Sequence, residues 1–148
     1  MSMSGRCDLI YTICAFLFQA ILIAHFALRR WRFDLAVRHG WIVYALGVSA
    51  VAASLVLLLS GKAWSLWLGG FLYLAWGAFG FVIEYVKKIQ WRTPIAWPVF
   101  GPYLLLYLAT SMFYWWPLAL IWKPLWYAAA VLFAAGLALN LASHKNAG

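Results

Sequence analysis

The sequence predicts an all-α, polytopic integral membrane protein: a five-helix transmembrane bundle with its N-terminus outside, its C-terminus inside and no soluble domain. Three observations carry that expectation. Hydrophobic residues make up 68% of the chain and charged residues 9%. Soluble domains have about 45–50% and 25%, so this chain cannot hide its apolar surface from water by folding alone. The apolar residues fall in five runs of about 20, the length of a helix that crosses a bilayer. The basic residues lie in short segments between those runs and divide unevenly between the two sides.

The first span, 9–28, is too long for a signal-peptide core and has no small-residue cleavage site followed by a soluble domain. Arg29, Arg30, Arg32 and Arg38 follow in a loop with Asp34. The second span, 41–60, ends at Gly61-Lys62, a tight turn into the third, 64–86. Lys87, Lys88 and Arg92 close the third span. Pro94, Pro98 and Pro102 then recur every four residues and are expected to hold the chain out of helix, at the interface, until Gly101-Pro102, where proline suits a first helical turn. The fourth span, 102–122, is expected to kink at Pro117, and Lys123-Pro124 turns the chain into the fifth, 124–143.

The alternative for residues 102–143 is one span plus a re-entrant piece, and the charges decide against it. With five crossings, Arg29, Arg30, Arg32, Arg38, Lys87, Lys88, Arg92 and Lys145 fall on one side, and Arg6, Lys62 and Lys123 on the other. The richer side is expected in the cytoplasm, in a multi-pass protein of a bacterial-type inner membrane. The net charge of +8 therefore points to anionic lipid headgroups of the bilayer as a partner, not to nucleic acid. Ten of the eleven tryptophans fall near span ends on this topology: Trp31, Trp41, Trp91 and Trp97 at the inner interface, and Trp64, Trp67, Trp115, Trp116, Trp122 and Trp126 at the outer. Trp76 alone is near mid-membrane.

The third span carries the candidate site. At a helical period Gly70, Tyr73, Gly77, Gly80 and Glu84 share one face, a smooth groove about 21 Å long that ends at the one acid inside an apolar run, with Trp76 at its border. The face has two readings. Glycines let another helix approach closely, which makes it a packing seam; equally it is the wall of a cavity anchored by Glu84, since an ionisable group at membrane depth is a candidate functional residue. On the seam reading, Glu84 snorkels to the interface and pairs with Lys88.

Two further spans collect polar groups on one face. Tyr103, Tyr107, Thr110, Ser111 and Tyr114 form a hydroxyl ladder in span 4, which either lines a path or bonds to neighbouring helices. Asp8, Thr12, Ala15 and Gln19 form a weaker face in span 1, where the Gln19 amide must find a partner in hydrocarbon. Spans 2 and 5 instead carry small-residue stripes, Ala45-Ser49-Ala53 and Ala130-Ala134-Ala138-Ala142, suited to an internal contact or an oligomer interface.

Other chemistry is poorly supplied. His25, His39 and His144 lack metal-ligand spacing, and only His25 approaches the depth that a bis-histidine haem would need. No cofactor or metal is expected. Cys7 and Cys14 lie about 10 Å apart along one helix, too far for a disulfide. Asp8, Asp34 and Glu84 are the only acids, and with no paired carboxylates and no glycine-rich phosphate loop the balance leans away from an enzyme.

Five spans in 148 residues with eleven tryptophans resemble in composition the tryptophan-rich sensory protein family, whose members bind porphyrins and sterol-like ligands. That family carries paired prolines flanked by tryptophans after its first span. The corresponding stretch here, RRWRFDLAVRHGW, has no proline, and the chain is not assigned to the family on its sequence.

Polar residues gathered on single faces of three helices favour a protein that binds or translocates a small amphipathic or cationic molecule through an intramembrane groove. Glu84 is its charged anchor, with Gly77, Gly80 and Trp76 along the groove and Gln19, Tyr73, Tyr107 and Tyr114 as polar contacts. So small a bundle is expected to form a homo-oligomer or to join another membrane protein. The alternative function is an accessory or structural subunit of a larger membrane complex.

Overall fold

A computed structural model describes residues 3–91 and 94–144; Arg92 and Lys145 of the charge pattern lie outside the described residues. All of the regular structure there is helical. Helices α1 (Met3–Trp31), α2 (Phe33–His39), α3 (Trp41–Leu59), α4 (Trp64–Phe81, continued by a wide turn, Val82–Val86), α5 (Trp97–Trp115), α6 (Leu118–Ile121) and α7 (Lys123–His144) follow in order. Five stretches are long and apolar enough to cross a membrane: Ser4–Trp31, Trp41–Leu59, Trp64–Val86, Trp97–Ile121 and Lys123–Ala142. Residues 102–143 therefore hold a complete span and most of another. The chain divides into two compact units whose boundaries fall inside α3 and α5.

The first unit comprises α1, α2, the start of α3 and the chain from Tyr114 onward. α1 buries Cys7, Tyr11, Ala15, Phe18, Leu22 and Phe26, a stripe at spacings of three and four that an apolar helix presents to its neighbours. α1 lies along α7. A Cβ added at Gly136 would meet Ile23 at 3.5 Å, and Arg30 Nη1 donates to the Ala142 carbonyl at 3.3 Å. Both numbers rise together, so α1 and α7 run in the same direction. The Arg30 contact also supplies a donor and a positive charge to a carbonyl near the C-terminal end of α7, where the helix dipole favours a cation. At the corner between α5 and α7, Pro117 has no N–H to continue the ladder and Trp122 is extended (φ −163°, ψ 118°). Trp115 fixes the corner by stacking on Trp126 and Phe133, at centroid distances of 5.3 and 5.9 Å, and by donating from Nε1 to the Trp126 carbonyl at 3.1 Å.

The second unit, Tyr44–Phe113, contains an α3–α4 hairpin. Gly61 turns it at φ 70°, with Gly61 N–H bonded to the Leu58 carbonyl and Lys62 N–H to that of Leu57. This pair of bonds closes the end of α3 and requires a left-handed residue, which glycine adopts without steric cost. The two helices then run antiparallel at backbone contact. A Cβ on Gly47 would lie 3.1 Å from Leu74 Cα, and one on Gly77 2.8 Å from the Tyr44 carbonyl oxygen, while one on Gly70 would collide with Ser54 Oγ and the Ala50 carbonyl. α5 meets α4 through Phe113, which packs on Trp64 at 5.5 Å and closes on Gly69.

One expectation is corrected and two are narrowed. α5 starts at Trp97, five residues before Pro102, because Val99 and Phe100 bond to the Ala96 carbonyl and put Pro98 in the first turn, where no N–H is missed. Of the two readings of the stripe Ala45-Ser49-Ala53, an internal contact is not what it makes within the chain: Ala45 and Ser49 are exposed, and Gly47, Ala50 and Ser54 are buried. In α7 Ala134 and Ala138 are likewise exposed, whereas Ala129 and Gly136 are buried. With small residues at several helical registers, the closest approach follows the glycines.

Candidate functional site

The glycine face of α4 is a helix seam. Gly70, Gly77 and Gly80 lie against Ala50, Ser54 and Tyr44 of α3, so the groove expected along them is filled by a neighbouring helix and offers no open wall there. The seam ends at Gly80, where a Cβ would come within 2.7 Å of the Tyr44 ring. Just beyond it the helix widens. Lys87 N–H bonds back five residues to the Val82 carbonyl, and Ile89 N–H six residues to that of Ile83. Val82, Ile83 and Val86 are β-branched and weaken the case for a regular α-turn, and such wide turns recur at functional sites. Lys88 then leaves the helix at φ 51°, so Glu84 and Lys88 do not stand one α-turn apart in this arrangement.

In that arrangement the Glu84 carboxylate accepts a hydrogen bond from the Tyr44 hydroxyl at 2.9 Å, and the Tyr44 oxygen lies 3.2 Å from the Tyr103 hydroxyl. Tyr44 spends its one proton on Glu84, which leaves Tyr103 to donate to Tyr44, and the chain Tyr103–Tyr44–Glu84 is ordered in one direction. Aromatic rings surround it. Tyr44 stands edge-on to Trp76 at 5.5 Å and to Tyr85 at 6.3 Å. Trp76 is buried and also contacts Tyr73, Tyr103 and Tyr107 at 5.6–5.8 Å. Trp91 closes on Tyr103 at 4.8 Å.

One half-buried carboxylate among phenols and indoles suits the pairing of a cation, by charge at Glu84 and by the π-faces nearby. Hydrolytic chemistry would need a second acid or base in reach. Among the described residues no three His, Cys, Asp or Glu side chains gather to hold a metal. No family model matches this chain, and no curated protein or solved structure resembles it significantly.

Of the site residues read from the sequence, Glu84, Tyr73, Trp76, Gly77, Gly80 and Tyr107 belong to the second unit. There Trp76 joins Tyr73 to Tyr107, and the glycines admit Tyr44. Gln19 and Tyr114 belong to the first unit. Tyr114 is buried against Phe18 at 5.0 Å, and Gln19, 2% exposed, has no hydrogen-bond partner for its Nε2. The hydroxyl ladder is partly turned inward on its own helix: Thr110 bonds to the Leu106 carbonyl and Ser111 to that of Tyr107, at 2.7 and 2.9 Å.

Tyr44, Tyr103, Tyr85 and Trp91 complete the site and were not among the residues singled out for it. A signal for Tyr44 existed. In a hairpin turning near residue 62, residues equally far from the turn face each other, and residue 44 is the counterpart of residue 80. Trp91 is 4% exposed: its ring packs on Phe100 and Tyr103 at 5.9 and 4.8 Å, and its carbonyl accepts from Ala96 N–H at 2.9 Å.

Proposed function

We propose that this membrane protein binds a small amphipathic cation, with the cationic head at Glu84 and the apolar part among the aromatic side chains beside it. The observation that carries the reading is the Tyr44-to-Glu84 hydrogen bond at 2.9 Å. It holds the one acid of an otherwise apolar span at a wide helical turn, within an aromatic surround. An acid near the end of an apolar span, held by a side chain from another helix, is a candidate for function. The site supports binding; passage along the glycine face is not part of the proposal, since α3 occupies it. The N-terminus is proposed outside and the C-terminus inside, from the basic residues of the loops.

The test is equilibrium binding of a radiolabelled alkyltrimethylammonium by the purified protein in a non-ionic detergent. The wild type is expected to bind saturably, and Glu84→Gln, which keeps size and hydrogen bonding but removes the charge, to lose the binding. Equal binding by the two proteins refutes the proposal.

A second reading, an accessory subunit or a homo-oligomer, is favoured by α7. It is the least buried of the five spans and leaves Tyr127, Val131, Ala134, Ala138 and Leu141 on its surface. Stoichiometric co-purification with another membrane protein would support the subunit.

A further inference from the structure

The connection between the first two spans carries a second candidate surface, independent of Glu84. α1 ends at Trp31 and α3 begins at Trp41, and both cross the membrane, so α2 between them stays at one bilayer surface. It is not a loose loop. Arg32 N–H bonds to the Leu28 carbonyl and Ala36 N–H to that of Arg32, α2 lies against α1, and Ala36 is buried. One helical turn apart, Phe33 and Val37 form an apolar ridge beside Ala36, 53% and 55% exposed, flanked by Trp31 at 69%. Arg38 lies about 100° round the helix from Val37 and is exposed, as is Arg32, which pairs with Asp34 at 3.9 Å.

Facing water, this ridge would leave three large apolar side chains solvated on a helix of seven residues. At the level of the lipid headgroups the same pattern is the stable one. Apolar side chains enter the acyl boundary, tryptophan sits at the interface, and arginines reach phosphates. Four arginines, Arg29, Arg30, Arg32 and Arg38, stand in this segment against one acid, Asp34, and so much positive charge selects for anionic headgroups over zwitterionic ones.

We propose that α2 with Arg32 and Arg38 is a binding surface for anionic phospholipid. The experiment is native mass spectrometry of the detergent-purified full chain, titrated with equimolar phosphatidylglycerol and phosphatidylcholine. The wild type is expected to retain phosphatidylglycerol preferentially. The preference is expected to fall by about fivefold for each arginine replaced in Arg32→Gln, Arg38→Gln and the double variant, whereas Lys62→Gln/Lys123→Gln, in the other loops, should leave it unchanged. Both arginines are exposed, so the fold tolerates the change, and either single variant carries the test if the double one fails to fold. The proposal is overturned by equal retention of the two lipids by the wild type, by an undiminished preference in the arginine variants, or by the same fall in the lysine variant.

Discussion

The Tyr44 hydroxyl reaches Glu84 Oε2 at 2.9 Å across forty residues of sequence, and it does so because Gly77 and Gly80 have no side chain to hold Tyr44 away. The seam and the site are therefore one device. Backbone contact between α3 and α4 brings a phenol from one helix onto the carboxylate of the other. The widened turn after Phe81 sets the position of Glu84 relative to the seam.

Tyr44→Phe is expected to weaken binding of the alkyltrimethylammonium probe without abolishing it, since the charge stays while its orienting donor is lost. A hydrogen bond to a charged group contributes about 1.5–3 kcal/mol, so the dissociation constant should rise by about tenfold or more, against complete loss for Glu84→Gln. Titration of both variants in the same detergent checks the order. Tyr44→Phe binding as tightly as the wild type would remove Tyr44 from the site.

The glycines divide by distance. Gly77→Ala places a methyl group 2.8 Å from the Tyr44 carbonyl oxygen, a backbone atom that moves only with its helix, and is expected to destabilise by about 1–3 kcal/mol. At Gly136 the same methyl meets Ile23 at 3.5 Å, an ordinary contact with a side chain. Gly136→Ala should thus be neutral or should stabilise by up to about 1 kcal/mol, because alanine favours helix. Thermal unfolding of the two variants in micelles checks the contrast, and equal losses would refute it.

The five helices long and apolar enough to cross a membrane were legible in the sequence because run length and apolarity are properties of the chain alone. Partners across helices were less so. Gly70, Gly77 and Gly80 announced a close approach, but that Tyr44 fills it depends on the hairpin geometry set at Gly61. Glu84 was legible as a lone acid, whereas its relation to Lys88 rested on 3.6 residues per turn, and the wide turn at Val82–Val86 departs from that period. Pro98 suggested a break and instead occupies a first turn, where a missing N–H costs nothing. Of the tryptophans assigned to the interfaces, Trp31 and Trp97 keep exposed rings, whereas the Trp91 ring is buried, a difference that run length and charge do not carry.

The outward face of α7 gives a third prediction. The small-residue stripe Ala130-Ala134-Ala138-Ala142 suits an internal contact or an oligomer interface, and Ala134, Leu137 and Ala138 are all exposed within the chain. Ala134→Leu, Ala138→Leu and Leu137→Ala are each expected to change the stability of the chain by no more than about 0.5 kcal/mol. If copies of the chain associate through this face, the leucines will lower the oligomer mass by light scattering while leaving thermal unfolding of the monomer unchanged. A large loss of monomer stability in Ala134→Leu would show the residue to be packed.

The orientation is tested by thiol labelling, and the structure decides where the thiols go. Cys7 is buried and Cys14 half-buried, so neither reports cleanly on the side it occupies, and Ala36 is buried as well. Ala63 and Val37 are both exposed and lie in the α3–α4 turn and on α2, which one membrane crossing separates. In a Cys7→Ala/Cys14→Ser background, a membrane-impermeant maleimide applied with the inner membrane intact should label Ala63→Cys. It should label Val37→Cys only after that membrane is opened, because the arginines around α2 hold it on the cytoplasmic side. The opposite pattern would reverse the topology. It would also place the wide turn at Glu84, which follows Ala63 by one further crossing, at the outer surface instead of the inner one.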